Sequence, residues 1–215
     1  VKYDYGFPLM AEIVPASEEL KGDQEGFWIQ HFNITEEEVQ RARYSMDWTM
    51  RGLETGVYCV LHQRHNGWNR QWMSDTYLER STNADFLREA TGHVLILGLG
   101  IGMLPVALCR KEDVESVTVI EIEPQVIALV EPYIRHPKLA VIQADAFSPP
   151  LRGRHFDAVY VDVWENICSD NWETMKILQA IYRGLAKKGG LVTSWLRDYI
   201  KDEAKRARQE DWRYR

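Results

Sequence analysis

Cysteine is scarce: the 215-residue chain has 3, Cys59, Cys109 and Cys168. They are far apart, odd in number and without CxxC spacing, which excludes a disulfide framework and leaves zinc no ligand set. A reducing cytoplasm is therefore the expected compartment. Long apolar runs are missing as well. None nears the roughly 20 residues of a membrane-spanning helix, and the stretch from Val1 to Glu12 lacks the basic-then-apolar order of a secretion signal. There is no positive excess either. Against 26 Lys and Arg stand 32 Asp and Glu, a net charge of -6, so a basic surface for duplex nucleic acid is not expected and a small-molecule ligand fits at least as well. The 6 histidines form no HExxH or related pattern, and no metal is expected.

What is present suffices for a full core, with 45% hydrophobic residues. Two textures meet near Thr91-Gly92, where a boundary is expected between an N-terminal helix and β-hairpin region, residues 1–91, and a second unit, residues 92–215. In the first, Thr35 followed by Glu36, Glu37 and Glu38 reads as an N-cap with acids in the first turn. The helix it opens is expected to run toward Arg51 and to end at Gly52 or Gly56. "GVYCVLHQ" and "WNRQWMSD" are strand-like runs around "RHNG", and Asn66-Gly67 favours a tight hairpin because both residues tolerate positive φ. Trp68 and Trp72 read as a cross-strand or interface pair.

From His93 on, the runs "HVLILG", "SVTVIE", "LAVIQA", "FDAVYVD" and "GGLVTSWL" alternate with helix-length segments. Continuous Val, Leu and Ile runs belong to strands buried on both faces, so the expected fold class is α/β, a doubly wound and mostly parallel sheet. Helices are expected at roughly Met103 to Lys111, Pro124 to Arg135 and Asn171 to Lys187, the last stopped by "KKGG". The tail "KDEAKRARQEDWRYR" reads as a mixed-charge helix with a solvated face. Little chain follows Trp195, so the sheet is expected to end early, its edge covered by a helix or by a second subunit in a homodimer.

"HVLILGLGIG" ends an apolar strand in Gly98, Gly100 and Gly102. Such a strand-to-helix turn presents backbone N–H groups and a positive helix end beside a crevice, and the missing side chains let a ligand approach. A dinucleotide GxGxxG would need glycine at Met103, and no GK[ST] follows for a P-loop. Glu121 ends the next strand roughly 20 residues on, where a carboxylate accepts from both hydroxyls of an adenosine ribose. Asp145, before Ala146, could form an Asx-type turn. Pro149 and Pro150 in "FSPPL" read as loop stiffeners. Trp164 and Trp172 follow the run "FDAVYVD", as stacking partners or as core.

"VLILGLGIG", "VIEIEP", "VIQADAF" and "FDAVYVDVWEN" resemble the successive strand-end motifs of class I S-adenosylmethionine-dependent methyltransferases, with a Rossmann-like fold, and in particular their spermidine synthase-like branch. The resemblance covers Val94 to about Trp195. "MSDT", "GLGIG" and "DVWENICSDN" also resemble short phage or metagenomic proteins of this fold. The resemblance implies a donor site of Gly98, Leu99, Gly100, Gly102, Glu121, Ile122, Asp145, Ala146 and Asp162. It implies Asp162 and Glu165 as the catalytic acids, at the spacing of the branch's DxxD pair, and Ile96 two residues before the first glycine matches the branch. Ile101, however, stands where those synthases carry a donor-contacting acid. The leading reading is methyl transfer from S-adenosylmethionine to a small or flexible nucleophile. Aminopropyl transfer from the decarboxylated donor and a catalytically silent S-adenosylmethionine or nucleoside-binding protein are the alternatives.

Overall fold

The structure, a computed structural model, describes residues 20–24, 26–46, 50 and 52–213, the last four of these through their backbone. Among the described residues, nine strands and six α-helices follow one another. They are β1 (Gly22–Gln24), β2 (Phe27–Ile34), α1 (Glu36–Arg43), β3 (Gly56–His65), β4 (Trp68–Ser74), α2 (Tyr77–Glu89), β5 (Gly92–Leu97) and α3 (Met103–Arg110). Then come β6 (Val114–Glu121), α4 (Pro124–Val130), β7 (Leu139–Gln143), β8 (Phe156–Val161), α5 (Asn171–Arg183), β9 (Ala186–Ser194) and α6 (Arg197–Arg213).

β1 to β4 form an antiparallel sheet in sequence order, and the second sheet, in the order β7-β6-β5-β8-β9, is parallel throughout. This is the α/β Rossmann-like arrangement, with an added antiparallel hairpin sheet. Its strands are continuous apolar runs because both faces are covered. Val94 and Ile96 pack in one cluster with Phe86 and Leu87 of α2, Leu104 and Leu108 of α3 and Leu129 of α4. Leu95 and Leu97 pack in another with Leu178 and Tyr182 of α5. The first cluster also holds Phe27, Ile29, Cys59 and Leu61 of the antiparallel sheet, so one core runs past Thr91-Gly92.

The β3–β4 hairpin turns on Asn66 at φ 50° and Gly67 at φ 82°, the pair that a tight right-twisted turn requires. Thr35 caps α1 through the reciprocal bonds of a capping box with Glu38. α1 ends at Arg43 rather than near Arg51. Only Val39 and Ala42 find a buried face, and Tyr44 and Met46 beyond them are exposed; residues 47–49 and 51 lie outside the described residues. α4 stops at Val130 and tightens into a 3₁₀ turn at Glu131–Tyr133 rather than reaching Arg135, because Pro132 lacks the N–H that α-helix needs. α5 ends at Arg183, not Lys187. Lys187 and Lys188 belong to β9 instead, where the Lys187 ammonium donates to Asp157 of β8 at 2.8 Å. β1, β2 and α2 are elements that the sequence pattern did not announce.

Candidate functional site

Hydrogen bonds that continue the parallel ladders past the strand ends bring one residue of each strand to a common edge. Gly98 N–H donates to Ile120 O, Ala144 N–H to Glu121 O, Asp162 N–H to Leu97 O and Trp195 N–H to Val161 O, all at 2.8–2.9 Å. Gly98, Glu121, Asp145, Asp162 and Trp195 thereby rim one cavity of about 250 Å³ at the carboxyl ends of the strands. It lies at the switch point, where β5 has β6 on one side and β8 on the other. α2 and β4 close it from the N-terminal side with Trp72, Met73, Glu79 and Asn83.

The turn after β5 is glycine for a steric reason. At Gly98, φ is 99° and a Cβ would collide with the carbonyl oxygen of Asp162, so only glycine lets the ends of β5 and β8 meet here. Glu121 is buried among backbone donors. Its Oε2 accepts from the Leu99 N–H at 2.8 Å and its Oε1 from the Glu123 N–H at 2.9 Å. Burial raises its pKa, while the amides of Glu123, Leu99 and Ile122 oppose that rise. Each carboxylate oxygen retains a second lone pair for a ligand.

Asp145 lines the cavity and takes the Phe147 N–H on Oδ1 at 2.8 Å, an Asx-type turn. Ala146 is held from behind by Tyr182, whose hydroxyl donates to the Ala146 carbonyl at 2.7 Å. Among the described residues Asp162 has no charged partner on its carboxylate, and burial pushes its pKa up to about 7. Glu165 also lines the cavity and is ion-paired with Arg70 of β4, which ties the loop after β8 to the hairpin.

Of the expected donor-site residues, Gly98, Leu99, Gly100, Glu121, Ile122, Asp145, Ala146 and Asp162 line the cavity. Gly102 does not; it is the N-cap of α3 and faces Val130 and Ile134. Ile101 is buried in the core rather than turned to the cavity. Trp164 lines the cavity with its indole N–H on Thr174 Oγ1 at 3.0 Å, whereas Trp172 is not a lining residue and carries Lys176 over its ring. Trp68 and Trp72 are not a pair: Trp68 is exposed near the hairpin tip, and Trp72 packs edge-on against Phe27 beside the cavity.

Glu79, Asn83, Trp72 and Trp195 were not anticipated. A signal existed for Glu79, since Thr76-x-x-Glu79 is a capping-box sequence at the start of α2. The structure shows no side-chain cap bond there, and Glu79 faces the cavity instead. Burial and the neighbouring Asp162 push the Glu79 pKa up to about 8.

Residues 94–189 match the family described as methyltransferase domain, and S-adenosylmethionine is the cofactor that this match indicates. No curated protein matches the chain. Solved structures that resemble it include the N-methyltransferase NodS of Bradyrhizobium japonicum WM9 in complex with S-adenosyl-l-homocysteine, at 16% identity and TM-score 0.44, over 74% of this chain and 70% of that one. The CcbJ methyltransferase of Streptomyces caelestis resembles it at 19% identity and TM-score 0.42, over 53% and 47%. An S-adenosylmethionine-dependent methyltransferase of Clostridium acetobutylicum ATCC 824 does so at 19% and 0.38, over 52% and 45%. The chain spans about half the length of most of the solved structures it resembles.

Proposed function

We propose that the protein is an S-adenosylmethionine-dependent methyltransferase acting on a small or flexible nucleophile. The observation that carries this reading is Glu121, a buried carboxylate at the end of β6 that is fixed to the Leu99 amide of the glycine turn with lone pairs to spare. The residues present fit the donor. Glu121 would take the ribose hydroxyls, Asp145 and the Ala146 amide the adenine edge, with Ile122 and Phe147 beside the ring, and the turn Gly98–Gly100 would run along the sugar and amino-acid part. The bound donor supplies a methyl carbon already activated by a sulfonium.

The chain's own task is then alignment and proton handling. Asp162, whose pKa is held near the working pH, is the group assigned to take or orient the acceptor's proton. Glu165 orients the loop after β8 through Arg70 and offers its charge to the acceptor. The antiparallel N-terminal sheet and the cavity-lining Ile96 support the spermidine synthase-like branch as the finer placement. A silent binder would need neither Asp162 nor Glu165 at the cavity.

Calorimetry with S-adenosylmethionine, S-adenosylhomocysteine, the decarboxylated donor and methylthioadenosine tests the reading. The carboxylated donor and its demethylated product are expected to bind tightest. A preference of tenfold, about 1.4 kcal/mol, for the decarboxylated donor would move the assignment to aminopropyl transfer.

A further inference from the structure

Two side chains of α2 line the cavity, each with polar atoms left unpaired among the described residues. Asn83, only 2% exposed, donates its side-chain N–H to the Glu79 carbonyl at 2.7 Å. That bond fixes the orientation of the amide, and its Oδ1 is buried with no hydrogen bond. Glu79 stands one helical turn earlier, so the two side chains are neighbours on one face of the helix. No hydrogen bond or ion pair reaches the Glu79 carboxyl among these residues; Arg70 is paired with Glu165 and Arg80 with Glu54.

A buried carboxyl with no cation beside it, and with a second carboxyl, Asp162, close enough to repel its charge, keeps its proton. Burial and then Asp162 push the Glu79 pKa up to about 8, so at neutral pH Glu79 is an acid that donates an O–H and accepts at its carbonyl oxygen. Among the described residues no hydrogen bond carries that O–H to Asp162. α2 thus offers a ligand one donor and one acceptor side by side, both uncharged. Oδ1 of Asn83 stays unpaired, which is costly, until a ligand N–H reaches it. An ammonium would meet a donor there as well as an acceptor, and a carboxylate brings no N–H. A hydroxyl places its donor and acceptor on one atom. An amide or amidine edge places them on two, which suits side chains whose Cβ atoms lie about 5–6 Å apart. Trp72, Trp164 and Trp195 line the same cavity, and indole rings pack well against flat groups.

Resting on the donor reading above, we propose that the acceptor substrate carries a neutral amide-type edge, an N–H beside a carbonyl oxygen or ring nitrogen, and that Asn83 Oδ1 accepts the N–H while Glu79 donates to the neighbouring atom. This edge is separate from the nucleophile that receives the methyl group, whose proton is the task of Asp162.

The test is calorimetric, on free protein and on protein saturated with S-adenosylhomocysteine. Its probes are benzamide, N,N-dimethylbenzamide, benzyl alcohol, benzylamine and benzoate, which share a ring and differ in the polar group. Benzamide is expected to bind wild type at least about tenfold tighter than each of the others at pH 7. Asn83→Leu should bind benzamide no better than N,N-dimethylbenzamide. Between pH 7 and pH 9 the affinity of wild type for benzamide should fall about tenfold, as a group titrating near 8 loses its proton. Glu79→Gln keeps a donor and an acceptor in place without a charge, so it should hold benzamide as tightly at pH 9 as at pH 7, and Glu79→Leu should lose it at both. Asp162, Tyr160, Glu121, Asp145 and the Glu165–Arg70 pair are common to wild type and Glu79→Gln, so the difference between the two reads Glu79. Cytosine presents the same donor–acceptor edge on a ring: tighter binding than benzamide assigns a nucleobase edge, and weaker binding a carboxamide. Benzylamine binding as tightly as benzamide, or Glu79→Gln losing benzamide as Glu79→Leu does, would overturn the proposal while leaving the donor reading intact. Failure of S-adenosylhomocysteine to bind would overturn the donor reading alone, since the probe ranking on free protein still decides the amide edge.

Discussion

At the scale of single residues, three of the five carboxylates that line the cavity, Glu79, Glu121 and Asp162, are under different electrostatic conditions. Glu121 accepts from backbone N–H groups that oppose the rise in pKa that burial causes, and on the proposed reading truncating it removes an acceptor pair for the ribose. Glu121→Ala should weaken S-adenosylhomocysteine binding at least about tenfold, the consequence of losing roughly 1.5 to 3 kcal/mol of charge-assisted bonding. Unchanged affinity in calorimetry would contradict the ribose assignment.

Glu79 and Asp162 have no such opposing amide bonds among the described residues, and their pKa values are pushed up to about 8, by burial and the neighbouring Asp162, and to about 7, by burial. Tyr160 of β8 feels both carboxylates, and Asp162, Glu79 and Asp85 of α2 add to the rise that burial gives its pKa. A folded acid with a raised pKa binds its proton more tightly than the unfolded chain does. Stability therefore falls as pH rises from the unfolded value of about 4 through the folded values, and is flat above them. Glu79→Gln removes that penalty. Its melting temperature should match wild type at pH 4 and exceed it by several degrees at pH 9, at about 2–4 °C per kcal/mol for a chain of this size. A thermal-shift series across pH that shows no divergence would refute the titration.

At the scale of elements, α2 matters most because it carries Glu79 and Asn83. Its orientation depends on Lys111 at the end of α3, whose ammonium donates to the carbonyls of Leu87 and Ala90 at 2.8 and 2.6 Å and to Arg88 at 3.3 Å. A cation there also suits the negative helix end. Phe86 stacks on Tyr160 with ring centroids 4.5 Å apart, fixing the same helix to β8. Lys111→Met keeps the stem and removes the donor, leaving the C-terminal carbonyls of α2 unpaired. A loss of about 1–3 kcal/mol is expected, with faster amide exchange concentrated in α2; exchange unchanged there would count against the clamp.

The loop after β7 has a similar support in Tyr182. Tyr182→Phe leaves the Ala146 carbonyl unpaired in the interior, and we expect a stability loss of about 1 kcal/mol with a measurable loss of affinity for S-adenosylhomocysteine. A stability loss without any change in affinity would show that this bond serves folding alone.

At the scale of the whole molecule, the antiparallel sheet is not an appendage to the parallel one. Phe27, Ile29, Cys59 and Leu61 share a core with β5, α3 and α4, and Trp72 and Met73 reach the cavity. Removing the N-terminal sheet would thus open both the core and the site. Trp68 at 80% exposed and Val57 at 52% leave apolar surface on this sheet, and surface of that kind is commonly covered by a second copy. We expect a homodimer at micromolar concentration; light scattering that returns only the 25.1 kDa chain would refute it.

Local chemistry determined what the sequence could disclose. Apolar runs long enough to be buried on both faces specify a parallel sheet whatever surrounds them. Asn66-Gly67 specifies its turn, and a glycine turn followed by Glu121 one strand later specifies a cavity edge, because these features depend on backbone freedom and on strand length. Helix ends were less legible. α1, α4 and α5 stop where burial ends, where Pro132 intervenes or where β8 claims Lys187, and only Pro132 is a local cause. α2 was hidden because its sequence is polar on much of its surface, and Glu79 could be read there as a cap. Whether that carboxylate closes a helix end or faces a cavity depends on what stands opposite it, and Asp162 lies 83 positions further along the chain. Such a juxtaposition has no period or spacing in the sequence, so the tertiary structure alone decided it.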